Sequence, residues 1–328
     1  MMELDLIDRK LMHELDFDAR QSYSQLAKKI RVSQEVIRYR LKRLIDNKII
    51  DAFLTIVDIG RLGLFHYEVY FRFQHVSGEK EKEIVKFLMD SYNVLWLCSC
   101  TGHFDLVFSV IAKNNIDFSN IISRITNLYG EFISERNVQS TIKIPHFNRA
   151  YLLNKKEVKE VTFGGTYKKK VDIDRIDFKI LKTIRYDGRM PITEIAKKAR
   201  ITIDIAKYRL RRLRRTGVIQ TFRPSYNKKN MGYTIHQTLF NFKNLNESLK
   251  NKFIEFVKKT SNTVYVLDTI GRFDLILETE TKSEDDFERI LKSIRNQFYE
   301  FITTYETIAI TEEHQMDYFH LDEEDFFK

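Results

Sequence analysis

Residues 208–215 read YRLRRLRR, and residues 39–44 read YRLKRL, a close copy. Guanidinium groups spaced along a helix have two chemical uses toward a polyanion: neutralising phosphates, and donating paired hydrogen bonds to base edges. A helix burying Ile37, Leu41 and Leu44 turns Glu35, Arg38, Tyr39, Lys42, Arg43 and Asp46 outward. The equivalent outward set in the copy is Asp204, Lys207, Tyr208, Arg211, Arg212 and Arg215, so the formal charge of the face rises from +1 to +3. An α-helix fits the DNA major groove, with its first turn at base edges and later basic residues at phosphates. On that geometry Gln34, Glu35, Arg38 and Tyr39 read bases in the first helix. Their equivalents are Ile203, Asp204, Lys207 and Tyr208, while Lys42, Arg43, Arg211, Arg212 and Arg215 meet phosphates. Arg211, Arg212, Arg214 and Arg215 have no acid four residues upstream, so their charge is unpaired within the helix.

Other chemistry finds little support. Cys98 and Cys100 are too close in sequence for an unstrained bridge and alternate onto one strand face with Val94 and Trp96, where small buried hydrophobes are expected. Two thiols do not fill a tetrahedral metal site, and the eight histidines are scattered. There is no P-loop, no H-E-x-x-H and no G-x-S-x-G. No metal and no cofactor is expected.

The basic helices belong to a repeat. An offset of 169 residues pairs Asp8 with Asp177, Tyr39 with Tyr208, Gly102 with Gly271 and Phe132 with Phe301 without a gap, and residues 8–50 match their copy at 14 of 43 positions. Self-similarity at a fixed spacing means two homologous halves. Each holds three short helices with a tight turn before the third: in the first half Asp5 caps the first, Ser22 and Gln25 make a capping box, and Ser33 caps the third. The copy places Ile180, Ile184, Ile195, Ala196, Thr202, Ala206, Leu210 and Leu213 at the matching positions. This is a helix-turn-helix pattern.

Beyond each helical unit the period changes to two. TIVDI, YEVYFRF, VLWLCSC and DLVFSVIA read as strands, with helices near 79–90 and 115–127 and a last strand near 131–143. The fold class is therefore α+β: two copies of a (winged) helix-turn-helix followed by a ferredoxin-like βαββαβ domain. The expected boundaries are 1–60 and 61–145 for the first half, 146–171 for an exposed linker, 172–229 and 230–313 for the second half, and 314–328 for a loose acidic tail. At 328 residues the chain is long enough for several cores. Net charge is +9 although the last seventeen residues hold seven acids and one lysine, an excess that favours a polyanionic partner. No apolar run approaches the ~18 residues of a membrane span, and a soluble cytoplasmic protein is expected.

The D-x-x-D opening (Asp5, Asp8; Asp174, Asp177), the R-x-x-R-L third helix (Arg40, Arg43, Leu44; Arg209, Arg212, Leu213) and the G-x-F-D turn (Gly102, Phe104, Asp105; Gly271, Phe273, Asp274) resemble the Lrp/AsnC, or feast/famine, regulators. The resemblance covers both halves. It implies transcriptional regulation through double-stranded DNA, no membrane, and a small-molecule effector such as an amino acid near Gly102, Asp105, Gly271 and Asp274. Family members are usually single copies that dimerise through their sheets, so one chain here stands for an intramolecular pseudo-dimer, with further homo-oligomers open. Siroheme decarboxylases are similar in fold and also pair two unlike halves. That alternative requires a haem-facing constellation near Gly102-His103-Phe104-Asp105, where Arg272 replaces His103 in the repeat. An interaction scaffold with one half off DNA is the other alternative.

Overall fold

Each half opens with three helices whose ends follow the expected caps: α1 (Leu6–Phe17), α2 (Tyr23–Ile30) and α3 (Gln34–Asp46), then α6 (Arg175–Ile184), α7 (Ile192–Ala199) and α8 (Ile203–Arg215). The computed structural model describes residues 3–91, 93–153, 158, 160–164, 169–260 and 262–328. Asp5 accepts from the backbone of Ile7 and Asp8 while Asp8 returns the bond, and Asp174 with Asp177 does the same. Ser22 and Gln25 close the second box, whereas Pro191 in the copy gives α7 no side-chain cap. Ile37, Leu41 and Leu44 are buried, as are Ala206, Leu210 and Leu213. Each isoleucine or leucine among them contributes about 1.5–3 kcal/mol of burial.

The two helical heads are interlocked. Strand β1 (Ile50–Val57), which overlaps the expected TIVDI strand, pairs antiparallel with β7 (Ile219–Tyr226) of the other half. The Ala19 amide donates to Phe222 O and the Gly188 amide to Phe53 O, two bonds related by the 169-residue offset. A Cβ at Gly188 would lie 2.7 Å from the Phe222 ring, so glycine permits the close approach there. Arg20 donates to Gly188 O and Met190 O, and Arg189 donates to Ala19 O and Gln21 O. These reciprocal contacts hold the heads in one mutual orientation.

Below them, the two ferredoxin-like motifs share a sheet. The first comprises β2 (Phe65–Phe73), α4 (Gly78–Asp90), β3 (Val94–Thr101), β4 (Leu106–Ala112), α5 (Asn115–Tyr129) and β5 (Ile133–Phe147). The second comprises β8 (Thr234–Phe242), α10 (Glu247–Lys258), β9 (Thr263–Ile270), β10 (Leu275–Thr281), α11 (Glu284–Phe298) and β11 (Ile302–Met316). Strand order is β2-β4-β3-β11-β8-β10-β9-β5, and β5 also pairs with β2, so the strands close on themselves as a barrel. The long last strand of each half makes the junction. β5 pairs with its own β2 early and with β9 late, and β11 pairs with its own β8 early and with β3 late. Alternation sends Val69, Phe71, Phe108 and Val110 outward to α4 and α5, and Phe240, Leu275 and Leu277 outward to α10 and α11.

Two expectations about connecting segments need correction. Residues 146–153 are no exposed linker: Phe147, Asn148 and Arg149 are buried, and Ala150–Leu152 make a 3-10 turn beneath α1, because Tyr151 and Leu152 supply apolar surface that the head needs. Residues 160–163 form β6 (Glu160–Phe163) on the edge of β5; the lysines around 155 and Lys168, and Gly165 of the glycine pair, lie outside the described residues. Nor is the tail loose. Tyr318, Phe319 and Leu321 are buried, and α12 (Glu323–Phe327) packs Phe326 and Phe327 on Phe178 of α6 while Arg175 pairs with Glu323 and Glu324. Its aromatic residues outweigh its acids.

The segments after β5 and β11 thus seat the heads, by unlike means. Arg149, 4% exposed, donates to Asp16 of α1 at 3.0 Å and to Glu280 of β10 at 2.9 Å. Burial opposes ionisation of Glu280, and the Arg149 guanidinium more than offsets this, holding the carboxyl below its usual range. In the copy a simpler pair, Arg185 with Asp317 at 3.2 Å, takes this place.

Candidate nucleic-acid interface

Helices α3 and α8 each stand on a clamp built from the opening motif. The Arg40 guanidinium pairs with Asp5 and Asp8, and Arg43 with Asp8 at 2.9 Å. The copy repeats it: Arg209 pairs with Asp174 and Asp177, and Arg212 with Asp177 at 2.6 Å. Asp8 and Asp177 are fully buried, so each relies on its two arginines for charge balance. Each D-x-x-D motif therefore answers an R-x-x-R motif about 35 residues later by capping one helix and gripping another.

The clamp corrects the expected phosphate set. Arg43 and Arg212 face the first helix of their unit, because a buried carboxylate attracts a guanidinium more strongly than solvent does. Arg214, which has no acid four residues upstream, pairs across the heads with Asp18 at 2.9 Å. The remaining expected residues lie at the surface. Gln34, Glu35, Arg38, Tyr39 and Lys42 are exposed on α3, and Ile203, Asp204, Lys207, Tyr208, Arg211 and Arg215 on α8. Tyr39 and Tyr208 are 63% and 60% exposed. Arg38 leans over the Tyr23 ring at 5.6 Å, and Lys207 lies 3.8 Å from Asp204. No ion pair holds Lys42, Arg211 or Arg215 among the described residues. Without the clamped arginines, the outward face of α3 has no net formal charge and that of α8 is +2.

Sequence reasoning missed further cations beside these helices. Lys28 and Arg31, with Lys197 and Arg200, are exposed at the end of the second helix of each unit, where Arg31 and Arg200 adopt the left-handed conformation with φ of 65° and 55°. Their identity in both copies was the available signal.

The two G-x-F-D turns meet the opposite half. A Cβ at Gly102 would fall 2.7 Å from Thr307 O, and one at Gly271 would fall 2.8 Å from Val138 O. Asp105 accepts from the Phe73 amide and Asp274 from the Phe242 amide, both at 2.7 Å, so these carboxylates tie the turn to a neighbouring strand. His103 contacts Glu135 at 2.8 Å, and Arg272 bridges Glu135 and Glu306. Cys98 and Cys100 are free and buried inside the barrel, where burial pushes the Cys100 thiol up to about 12. Among the described residues no group of three His, Cys, Asp or Glu could hold a metal, and no helix is long and apolar enough to cross a membrane.

Comparison with known proteins agrees with these observations. Residues 4–45 match the AsnC-type helix-turn-helix domain, and residues 173–220 match a winged helix-turn-helix DNA-binding domain. An uncharacterized HTH-type transcriptional regulator of Pyrococcus furiosus is 27% identical over 124 residues, 38% of this chain and 82% of that protein. The HTH-type transcriptional regulator FL11 of Pyrococcus horikoshii is 27% identical over 125 residues, again 38% of this chain and 82% of the relative. Among solved structures, the siroheme decarboxylase NirDL has a TM-score of 0.66 at 13% identity, covering 98% of this chain and 96% of that one, a likeness of fold. With an AsnC-type helix-turn-helix unit at its head and a winged helix-turn-helix unit 169 residues on, each followed by a ferredoxin-like domain, the chain is a tandem duplication similar to the Lrp/AsnC regulators.

Proposed function

We propose that the chain is a cytoplasmic, sequence-specific DNA-binding transcriptional regulator acting as a single-chain pseudo-dimer. The observation that carries this reading is the pair of capped third helices, each presenting an exposed tyrosine and unclamped cations on a helix-turn-helix unit. Arg38 and Lys42 with Gln34, Glu35 and Tyr39 read one half-site; Lys207, Arg211 and Arg215 with Ile203, Asp204 and Tyr208 read the other. A homodimer reads a palindrome because its reading helices are identical. Here the first turns differ, Gln34-Glu35 against Ile203-Asp204, so the favoured site is asymmetric. Small-molecule modulation belongs to the same reading, but Gly102, Asp105, Gly271 and Asp274 spend their polar atoms and close contacts on the strand turns, which leaves them poor ligand holders.

The enzyme alternative rests on likeness of fold to a siroheme decarboxylase. We rank it below regulation because His103 is engaged with Glu135, and Arg272, which replaces it in the repeat, bridges Glu135 and Glu306. Selection from a random duplex pool followed by footprinting tests the proposal. Two protected patches of unlike sequence, about one helical turn (~34 Å) or a multiple apart, are expected. A palindrome would contradict the asymmetry, and the absence of protection would contradict DNA binding.

A further inference from the structure

The barrel interior buries several polar and acidic side chains among its apolar ones. Eight strands enclose a space that side chains fill or that holds one small ligand. Here His66, Glu68, Ser109, Gln237 and Glu278 line a cavity of ≈ 50 Å³ together with Trp96, Tyr265 and Tyr318. At 10–15 Å³ per water-sized occupant, this admits about four such atoms.

The 169-residue offset pairs Glu68 with Gln237 and Ser109 with Glu278, so each half contributes one carboxyl to this layer from a different strand. Their surroundings are unequal. Glu68 accepts from Ser109 at 3.1 Å and from the Gln237 amide, whose oxygen in turn accepts from Tyr70 at 3.0 Å. Glu278 stands opposite Gln237 in the β10–β8 register, finds that amide already engaged, and has no hydrogen bond or ion pair among the described residues. It is 6% exposed. Its charged neighbours are occupied elsewhere: Arg149 with Asp16 and Glu280, and Lys228, at the start of α9 (Lys228–Met231), with Glu313 at 3.1 Å.

A buried carboxyl facing a small cavity without a partner is costly unless something supplies one. A third acid in the lining, Asp317, is paired with Arg185; the other two, Glu68 and Glu278, beneath aromatic walls favour a positively charged occupant, and aromatic faces attract ammonium groups. No group of three His, Cys, Asp or Glu among the described residues is placed to hold a metal ion, which favours an organic cation. We propose that the barrel binds a small organic ammonium ion, with Glu278 as its principal anionic contact, Glu68 as the second, and Trp96, Tyr265 and Tyr318 as the enclosing wall. The site lies one step along β10 from the Arg149–Glu280–Asp16 junction beneath the first head. Burial pushes Glu278 up to about 8, so the empty site is protonated at neutral pH and a cation must displace that proton.

Titration calorimetry and thermal unfolding of the full chain with ethylammonium chloride test this, with sodium chloride at equal ionic strength and ethanol at equal concentration as controls. A saturable rise in Tm with ethylammonium alone is expected, and Glu278→Gln, which keeps the side-chain shape, abolishes it. Apparent affinity in the wild-type chain increases toward tenfold per pH unit below about pH 8 and levels off above it. Equal shifts with sodium, equal shifts in E278Q, or no pH dependence would overturn the proposal. None of these readouts involves DNA, so the site fails or stands independently of the function proposed for the heads.

Discussion

The two helical heads share a scaffold and differ at the surface. The Asp8–Arg43 and Asp177–Arg212 clamps correspond residue for residue, and so do the reciprocal Arg20 and Arg189 crossings between heads. The outward positions of α3 and α8 keep Tyr39 and Tyr208 but exchange Gln34 for Ile203, Asp46 for Arg215 and Lys42 for Arg211. Contacts that hold the reading helices in place must fit a fixed geometry in both copies, whereas exposed side chains are released from that constraint. The lesson is that motif arginines and reading arginines, adjacent in sequence, have separate jobs.

The largest expected effect is at the seats of the heads. Replacing Arg149 with Met leaves Asp16 and Glu280 buried without a counter-charge and costs about 3–5 kcal/mol in urea unfolding. The copy has a single, partly exposed pair, so Arg185→Met costs about 1–2 kcal/mol; equal losses would erase this difference between halves. Next come the clamps. Asp8→Asn and Asp177→Asn each destabilise their head by about 3 kcal/mol, and similar values would support the shared scaffold.

A smaller effect concerns pH. Burial holds Glu68 up to about 7 and Glu278 up to about 8, while the unfolded chain releases these protons near its ordinary value of 4.5. The folded state binds more protons in that window, so both groups make stability fall as pH rises. His66, lowered to about 3 by burial, acts in the opposite sense up to about 6.5. Between pH 7 and 8 Glu278 dominates this set, with a loss of about 1 kcal/mol over that unit. Glu278→Gln should flatten that slope in unfolding measured at a pH series.

Much of this architecture was legible because it depends on local rules. Capping residues, 3.6-residue spacing and the repeat offset marked the heads, and alternation marked the sheet strands. What stayed hidden depends on partners remote in sequence. Nothing near Arg212 announces that Asp177 will claim it, and β1 alternates like a sheet strand although it pairs with β7. The aromatic tail was read by its charge and folded by its rings. Glu278 gave no signal, since a lone glutamate in a strand reads as solvent-facing until the barrel closes over it.

The central claim is that the unclamped cations of α3 and α8 lie against duplex DNA. Its most direct test is the salt dependence of DNA binding by the full chain. With Lys42, Arg211 and Arg215 on phosphates, log affinity should fall against log salt with a slope of about −3, at roughly 0.9 per contact, and the double substitution Arg211→Ala, Arg215→Ala should reduce it by about 2. A flat response, or a slope unchanged by that double substitution, would contradict the account.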